Sequence, residues 1–453
     1  MKKIIRILSM ALTVIMLMSL LIACNNTSTD EGSKESEQPS DTLDSQEISS
    51  EPTFKINGVD ITEYTVVYNK ETNSASKKVL NYFNNKLNSE YTIELKATIA
   101  NSSEYQIFIG VEGHNSAIDE FFSTCEAGMI GFDGKNIYLL AKDDVGLYSV
   151  ADAFLAKATA DGVGTVINVS ENEKVEYTME SLTVMSYNVL YDMYYDDSKD
   201  NSRDITALAD FIKDQGADVF GTQETLKVHK NEILKAMPNY DCYEGIKLAG
   251  GAEMSNMIFW NADKYKAVSK GFQYLSATPY IESKIDESNS YRGFSYVVLE
   301  SLATKKQFLF VDVHLTYRDS DNNNSGSKVE TARFKQAQYL VKFLESEKFK
   351  DMPIILVGDF NSVPNSKALN VIENADRMDR ALTVAATKGD TGSTLAKNSH
   401  TERVSKYIFD HIFVTSDRIA TDYFTTVDVK INDSGAQRYP SDHLPILAKI
   451  TIC

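Results

Sequence analysis

The spacing of hydrophobic and polar residues divides the chain into three kinds of segment. An apolar run at 7–23, broken only by single Ser and Thr residues, follows three basic residues. Residues 25–53 contain eight acidic residues, one lysine and no aromatic residue. From residue 54 onward, alternating runs typical of strands are interleaved with runs whose apolar residues recur every three to four positions, which is typical of helices. The pattern predicts a leader, a polar spacer and an α/β protein.

The first 24 residues have the form of a secretory signal, because a basic start precedes the apolar run. Residues 21–24, LIAC, resemble the lipobox of bacterial lipoproteins, which implies that Cys24 is lipidated. A plain signal peptide or a short membrane anchor is the alternative. Residues 25–53 cannot bury apolar surface, so we expect a disordered acidic tether. We therefore expect a protein at the cell surface, held to a bacterial membrane by a lipid anchor, and we expect it to be a monomer.

Residues 54–178 predict a small α/β accessory domain. In chain order we expect strand 62–69, helix 74–87, strands 91–95 and 105–111, a hairpin at 129–141, and helix 146–158. The stretches 107–111 and 143–158 are loosely similar to the non-catalytic α/β domain at the front of some glycoside hydrolases, such as the hexosaminidase and α-glucuronidase families. That resemblance implies a contact with carbohydrate. A purely structural spacer is the alternative.

Residues 179–453 contain six motifs in which an apolar run leads into polar side chains. They are VMSYNVL (184–190), DVFGTQET (218–225), FLFVDVHL (308–315), IILVGDFNSVP (354–364), YIFDHIFV (407–414) and YPSDHLPI (439–446). Because sites on open sheets lie at strand ends, we expect the Asn, Asp, Glu and His side chains of these motifs to share one crevice.

The residue types in the motifs point to a hard cation and a phosphoester. Carboxylate and amide oxygens suit Mg²⁺ or Mn²⁺. The sequence contains neither a cysteine cluster nor an HExxH pair, which argues against a zinc site. Asp442 precedes His443, and a carboxylate beside an imidazole can fix its tautomer and stabilise its charged form. No serine lies in a GxSxG elbow. The residues therefore predict metal-assisted attack of water on phosphorus.

Together the six motifs resemble those of the endonuclease/exonuclease/phosphatase superfamily, which has the DNase I-like fold. SYNVL, TQE, DVHL, GDFN, DHIF and SDHLPI stand in the superfamily's order and spread over the whole segment. The resemblance implies a four-layer α/β sandwich, in which two packed β-sheets are flanked by helices and the site lies at one edge. It covers residues 179–453 and leaves the accessory domain outside.

The resemblance also implies which residues face the metal. Glu224 is expected to be the principal ligand, with the Asn188 amide supporting the metal and the attacking side. Asp442 is expected either as the partner of His443 or as a second ligand on the metal side.

Five more positions match residues that act on the phosphate. Asp359 is expected to orient or activate water, and Asn361 to hold a phosphate oxygen. His314 is expected to stabilise the transition state or to protonate the leaving oxygen. His443 matches the catalytic imidazole, and Asp410 matches the acid at the start of a strand. The choice of general base between His443 and Asp359 stays open.

Further residues are candidates for minor roles. Arg292, which precedes a strand, could clamp phosphate with its planar guanidinium, and Tyr317 could donate to phosphate. His411 is expected to be a packing residue, His229 to be exposed on a helix, and His400 to lie in a loop near the site without a role.

Charge narrows the substrate only in part. Lys+Arg 46 against Asp+Glu 64 gives a formal net charge of −18, so the chain cannot coat nucleic acid by bulk charge. We expect an extracellular metal-dependent phosphoesterase that hydrolyses a phosphodiester or phosphomonoester with activated water. The alternatives are a secreted nuclease acting on DNA or RNA, and a surface binding protein with an inactive enzyme fold.

Overall fold

The computed structural model describes residues 53–68, 75–99, 103–111, 128–143, 146–162, 164–195, 202–245, 254–288, 290–317, 325–375, 377–433 and 435–453. The predicted leader with Cys24, and the predicted tether apart from its last residue, lie outside these ranges. Among the helices of the described ranges, none is long and apolar enough to cross a membrane.

The N-terminal part contains two mixed sheets and two helices. Its strands are β1 (Phe54–Ile56), β2 (Val59–Asp60), β3 (Tyr64–Val67), β4 (Lys96–Thr98), β5 (Tyr105–Val111), β6 (Gly128–Phe132), β7 (Ile137–Ala141), β8 (Thr159–Asp161), β9 (Gly164–Ile167) and β10 (Glu173–Val175). Its helices are α1 (Ala75–Tyr91) and α2 (Gly146–Leu155). The strands are ordered β10-β6-β7-β5-β3-β4 and β2-β1-β9-β8, and the apolar faces of both helices join the sheets in one hydrophobic core.

Most of the predicted elements of this part are found, but the predicted strand 91–95 is wrong. Helix α1 continues to Tyr91, and Thr92 then takes a positive φ of 59° that ends it. The Asn84 side chain accepts from the backbone N–H of Leu95 at 3.1 Å and donates to its carbonyl at 3.3 Å. These bonds hold the segment against α1, so pairing with the sheet begins only at β4.

The second part supplies the longer strands. They are β11 (Glu180–Asn188), β12 (Val219–Thr225), β13 (Tyr240–Glu244), β14 (Ser255–Asn261), β15 (Tyr265–Tyr274), β16 (Gly293–Ser301), β17 (Gln307–His314), β18 (Ile354–Asp359), β19 (Met378–Arg380), β20 (Thr387–Lys388), β21 (Asp410–Thr415), β22 (Ile419–Thr426), β23 (Ile431–Asp433), β24 (Ala436–Arg438) and β25 (Ile446–Ile452). The helices are α3 (Ile205–Asp214), α4 (Lys227–Ala236), α5 (Ser325–Leu344), α6 (Lys367–Glu373) and α7 (Ala381–Val384).

These elements form four layers. Seven strands in the order β13-β14-β12-β11-β25-β22-β20 pack against six in the order β15-β16-β17-β18-β21-β19, with a large apolar core between the two sheets. Helices α5 and α6 cover the outer face of the six-stranded sheet, and α3 and α4 cover that of the other. The predicted four-layer α/β sandwich, preceded by a small α/β unit, is confirmed.

The GDFN motif requires its glycine for a close approach of two backbones. Gly358 has a φ of 155°, and a Cβ there would lie 2.0 Å from the carbonyl oxygen of Val313 on the neighbouring strand β17. The absence of a side chain therefore allows β17 and β18 to run side by side up to their last residues, His314 and Asp359.

Arg418, in the turn between β21 and β22, joins the two parts of the chain. Its Nη1 donates to Asp152 Oδ2 of α2 at 2.8 Å, and its Nη2 donates to the Tyr82 hydroxyl of α1. The guanidinium carbon lies 4.7 Å from the centre of the Tyr82 ring. Lys86 of α1 adds an ion pair of 2.8 Å with Asp351. Because the Arg418 side chain is only 11% exposed, these contacts hold both N-terminal helices against the second part.

Asp312 is a carboxyl group buried between the two large sheets. The Gln223 amide donates to its Oδ1 at 2.6 Å, and a Cβ on Gly221 would approach its Cγ to 2.7 Å. Burial raises the pKa of Asp312 well above its ordinary value. Burial therefore favours the neutral form of this carboxyl, and the close contact at Gly221 leaves no room for a larger residue there.

We expect Asp312→Asn to stabilise the fold more at pH 7 than at pH 4.5. A buried acid with a raised pKa keeps a proton that the unfolded chain loses above about pH 4, so the wild type loses stability as pH rises towards the folded-state pKa. Asparagine has the same shape and does not titrate. Urea unfolding at the two pH values measures the difference, with exposed Asp210→Asn as the control. A change in stability from Asp312→Asn that is the same at both pH values would contradict the neutral form.

Candidate active site

Strand pairing brings the six motifs to one edge of the sandwich. His314 ends β17 and is the register partner of Asp359 at the end of β18, and Asp359 in turn pairs with Asp410 at the start of β21. On the other sheet Asn188 ends β11 beside β12. A register shift in β12 between Thr222 and Thr225 re-aims the strand where Glu224 lies.

Asn188 connects the metal side of the site to its centre. Its amide Nδ2 lies 3.3 Å from Glu224 Oε1 and 3.1 Å from Asp359 Oδ2. The second oxygen of Glu224 accepts from the backbone N–H of Tyr191 at 3.2 Å. Asn188 and Asp359 are each 1% exposed, so one amide separates two carboxylates in a nearly dry environment.

Asp359 Oδ2 is also the point at which the two histidines approach. His314 Nε2 lies 3.4 Å from it and His443 Nε2 lies 3.7 Å from it. Asn361 Nδ2 lies 3.1 Å from His314 Nε2, and the Asn361 backbone N–H donates to Asp359 Oδ1 at 2.8 Å. The residues expected to act on phosphate therefore surround a single carboxylate.

The partner of the His443 ring is Asp410, so the first of the two roles expected for Asp442, that of ring partner, is wrong, and the role of metal-side ligand stays a prediction. His443 Nδ1 lies 2.8 Å from Asp410 Oδ2, across the gap between two motifs that are far apart in sequence. The adjacent Asp442 instead accepts from the Ser441 hydroxyl at 3.3 Å and lies near Glu224, whose pKa is raised by burial and by the Asp442 charge.

The two histidines are held in opposite states. Burial lowers the pKa of His314 well below its ordinary value, and Arg292 adds to the effect. Burial acts the same way on His443, but Asp410 and Asp359 outweigh it and raise the pKa of His443 well above its ordinary value. Burial raises the pKa of Asp359 to about 7. A neutral imidazole and a charged one thus flank the same carboxyl, an arrangement typical of acid–base sites.

Three non-glycine residues of the site have left-handed backbone conformations. Leu190, Glu224 and Asn361 have φ values of 57°, 57° and 49°. Asparagine tolerates this region, whereas it costs Glu and Leu roughly 1–3 kcal/mol each. Contacts with neighbouring residues must compensate this cost and hold the backbone of these residues in the unfavourable conformation.

Three ionisable residues form a group that could hold a metal ion. Ligand atoms of Asp359, Asp410 and His443 lie within 4.8 Å of one another, and all three residues are buried. Asp410 Oδ1 is buried without a hydrogen-bond partner, although buried carboxylate oxygens are normally satisfied. Glu224 adjoins this group through Asn188. Oxygen-rich donors of this kind fit a hard divalent cation, so the residues present suit the expected metal.

Arg292 and Tyr317 lie on the His314 side of the site. Arg292 is 7% exposed and close enough to His314 to shift its pKa, whereas Tyr317 is 62% exposed. Arg333 of α5 is a further basic group that the sequence motifs did not single out. Its Nε donates to the carbonyl of Thr316 at 2.7 Å, and its charge also acts on His314. Arg333 lies outside the six motifs, so its position near the site could be recognised only from the fold.

Arg203 is a second residue that the motifs did not indicate. It is 5% exposed, and its guanidinium donates to the carbonyls of Val189, Leu190, Asp192 and Pro440. These carbonyls belong to the loop after Asn188 and to the loop before His443, which Ser441 also joins through a 2.7 Å bond to the Asn188 carbonyl. Arg203 therefore fixes two of the site loops to each other. The sequence contains only a weak indication of this role, namely a single arginine just before the start of a helix.

The remaining histidines have structural surroundings. His229 is fully buried, so the expectation of an exposed side chain is wrong; its Nδ1 accepts from the Leu226 N–H at 3.2 Å and caps α4, which has no polar residue at that position. His411 is buried with its Nε2 2.9 Å from the Ser362 carbonyl, as a packing residue would be. His400 is 3% exposed, and its ring centre lies 4.9 Å from that of Tyr195.

Known structures share this architecture. An endonuclease/exonuclease/phosphatase family protein from Bacteroides thetaiotaomicron is 22% identical, covers 61% of this chain and 100% of its own, and has a TM-score of 0.54. A mannosyl-6-phosphatase from the same organism is 24% identical, with 60% and 99% covered and a TM-score of 0.52. A Bacteroides vulgatus protein of the family gives 22% identity, 60% and 100% coverage, and 0.51. At these identities the likeness concerns the fold alone.

Residues 185–443 match the family model described as Endonuclease/Exonuclease/phosphatase family. The match spans more than half of the chain and reaches from Met185 in the first motif to His443 in the last, so the chain belongs to this family. Membership supports a hydrolase. Among curated proteins, none matches the chain significantly.

We expect Arg203→Lys to lower activity much more than Arg380→Lys does. Lysine keeps the charge but cannot reach four carbonyls, and each lost bond to a charged donor is worth roughly 1.5–3 kcal/mol. Turnover of a phosphate ester should fall at least about tenfold, and more divalent metal should be needed for half-maximal rate. Arg380→Lys is the matched control, because Arg380 is also buried but pairs with Glu373 away from the site. Equal activity losses in both variants would argue against a positioning role.

Proposed function

We propose that this protein is a metal-dependent phosphoesterase that hydrolyses a phosphodiester or phosphomonoester with an activated water. The observation that supports this most directly is the convergence on Asp359, which lies within 3.7 Å of Asn188, His314 and His443 at the edge of the sheets. Carboxylates, amides and imidazoles around one point provide for proton transfer and for phosphate binding without a nucleophilic side chain.

The oxygen donors are the proposed metal site, with Mg²⁺ or Mn²⁺ as the ion. Glu224 would be the principal ligand, Asn188 would support it, and Asp442 would complete the metal side. When bound, such an ion neutralises phosphate charge and lowers the pKa of water. Burial and the like charge of Asp442 also explain why the pKa of Glu224 is raised without a cation.

The remaining residues act on the substrate directly. Asp359, with a pKa near 7, is suited to accept a proton from water, and neutral His314 with Asn361 offers hydrogen bonds to phosphate oxygens. His443, charged and oriented by Asp410, is suited to stabilise or protonate an oxygen that gains charge. Asp359 would therefore be the base and His443 the acid, and the raised pKa values of both groups suit these roles.

Arg292 and Arg333 would bind the phosphate on the side opposite the metal. Both charges act on His314, and a guanidinium can give two parallel bonds to phosphate oxygens. Exposed Tyr317 stands beside them and would contact the rest of the substrate. Nothing in this arrangement demands a polymer, since the recognised group is the phosphate itself.

Two other functions compete with this proposal. A secreted nuclease would share the same chemistry, and a surface binding protein would keep the fold without turnover. Plasmid nicking with Mg²⁺, compared with hydrolysis of bis(p-nitrophenyl) phosphate and p-nitrophenyl phosphate, separates the three. Nicking without hydrolysis of the small esters would favour the nuclease, and inactivity on all of them would favour the binding protein.

We further propose that the enzyme works as a monomer at the cell surface, tied to the membrane by lipid on Cys24. The basic and apolar order of residues 1–24 supports the anchor, and the acidic composition of residues 25–53 supports a spacer. Metabolic labelling with a palmitate analogue, compared between the wild type and Cys24→Ser, tests the anchor.

We expect Glu224→Gln to lower kcat/KM on both small esters by at least about a hundredfold, because the amide removes the ligand's charge. EDTA should abolish wild-type turnover, and excess Mg²⁺ should restore it. The concentration of Mg²⁺ needed for half-maximal rate should rise in the variant. Exposed Glu345→Gln serves as the control. Wild-type rates that persist in EDTA would refute metal dependence.

We expect Asp410→Asn and His443→Ala to reduce kcat by similar factors, about a hundredfold or more, with smaller effects on KM. Asparagine leaves the imidazole in place but removes the carboxylate that orients it and keeps it charged. The double variant should be no worse than the His443→Ala single variant, since the two residues work as a pair. Steady-state kinetics of the three variants measure this, and additive losses would show that Asp410 acts independently of the ring.

A further inference from the structure

A large cavity lies between the two parts of the chain, away from the proposed active site. Its volume is about 790 Å³, within the range of small-ligand sites. On one side it is lined by α1 and α2, and on the other by residues that include Ala375, Met378 and Ser416 of the second part.

Topology separates this cavity from the catalytic edge. Met378 pairs with Thr415, and the Thr415 hydroxyl accepts from the N–H of Ile354, the first residue of β18. Asp359 is the last residue of the same strand. Five residue steps at about 3.3 Å place the two ends roughly 17 Å apart. A ligand in the cavity therefore cannot touch the phosphate site, and the cavity must be judged on its own chemistry.

Three asparagines of α1 face the cavity. Asn81, Asn85 and Asn88 are spaced four and three residues apart, which puts them on one face of the helix, and all three are exposed. Asparagine is a poor helix former, because its side chain competes with the backbone for hydrogen bonds. The bonds of Asn84 to Leu95 explain that asparagine, whereas the three exposed asparagines have no such role in the fold among the contacts of the described residues. Their alignment on the cavity suggests that they bind something.

The charged groups of the cavity are largely engaged with each other. Lys86 pairs with Asp351 at 2.8 Å, and Arg377 Nε donates to Asp417 Oδ2 at 2.5 Å. Among the described lining residues, carboxylates outnumber basic groups by five to three. An anionic ligand would meet a net negative wall, whereas the amides offer both donors and acceptors to neutral hydroxyl groups.

We propose that the cavity between the two parts is a binding site for a neutral oligosaccharide. Amide side chains beside paired charges suit hydroxyl groups, which donate and accept at the same atom. The volume suits roughly two or three sugar rings. Residues from both parts line the cavity, so the site depends on the contacts of Arg418 and Lys86 that hold the parts together.

The test measures binding by the full mature chain, using isothermal titration calorimetry with mannotriose, chitotriose and laminaritriose as probes. Wild type should bind at least one of them, and the triple variant Asn81→Ala, Asn85→Ala, Asn88→Ala should bind it about tenfold more weakly or not at all. Because alanine favours helix, the melting temperature of the variant should be unchanged or higher. Asn231→Ala, at an exposed position of α4, is the matched control.

Several outcomes would overturn the proposal. Failure of the wild type to bind any of the three trisaccharides, full binding by the triple variant, or tighter binding of trigalacturonate than of the neutral probes would each do so. Should the triple variant not fold, Ala375→Trp fills the cavity from the opposite wall and must abolish binding. Turnover of p-nitrophenyl phosphate should not change in either variant, so a failure here is independent of the catalytic proposal.

Discussion

The structure depends on keeping several carboxylates buried together at one edge of two packed sheets. Asp359 and Asp410 are almost inaccessible, and Glu224 and Asp442 lie close by. Without partners, the desolvation free energy of these buried charges would exceed the stability of the fold. The protein offsets this cost with the Asn188 amide, with a charged His443 between Asp359 and Asp410, and with a raised pKa at Asp359. A cation at the site would offset the remaining repulsion between the carboxylates. The charges that destabilise the protein without metal therefore favour metal binding.

The backbone around these carboxylates is itself strained. Left-handed conformations at Leu190 and Glu224 are unfavourable, and Arg203 holds the loop that contains Leu190 through bonds to backbone carbonyls. Because the Arg203 guanidinium donates to carbonyls and not to carboxylates, its positive charge is not neutralised by a partner. It therefore fixes the loops and also stabilises the nearby negative charge of Asp442. Activity and local stability are thus linked through the same few contacts.

The sequence was most informative where chemistry and strand ends coincide. Long apolar runs identified the strands, and the polar residue after each run identified Asn188, Asp359 and His314. Pairing across space was harder. Asp442 adjoins His443 in sequence, yet Asp410 is the partner of the ring, because the register of β18 and β21 brings Asp410 to the site. His229 was expected to be exposed on a helix, but it is buried because its ring accepts from the Leu226 N–H at the start of α4.

The attachment of the N-terminal part follows a different logic from that of the site. Arg418 lies in the turn after β21, at the strand end opposite Asp410, so its contacts with Tyr82 and Asp152 leave the catalytic edge open. An accessory unit on the catalytic edge would restrict which phosphoesters could approach. On the far edge, a ligand in the proposed cavity would not affect proton transfer, because the two sheets lie between the cavity and the site. The architecture therefore favours independent binding and catalysis rather than a shared substrate cleft.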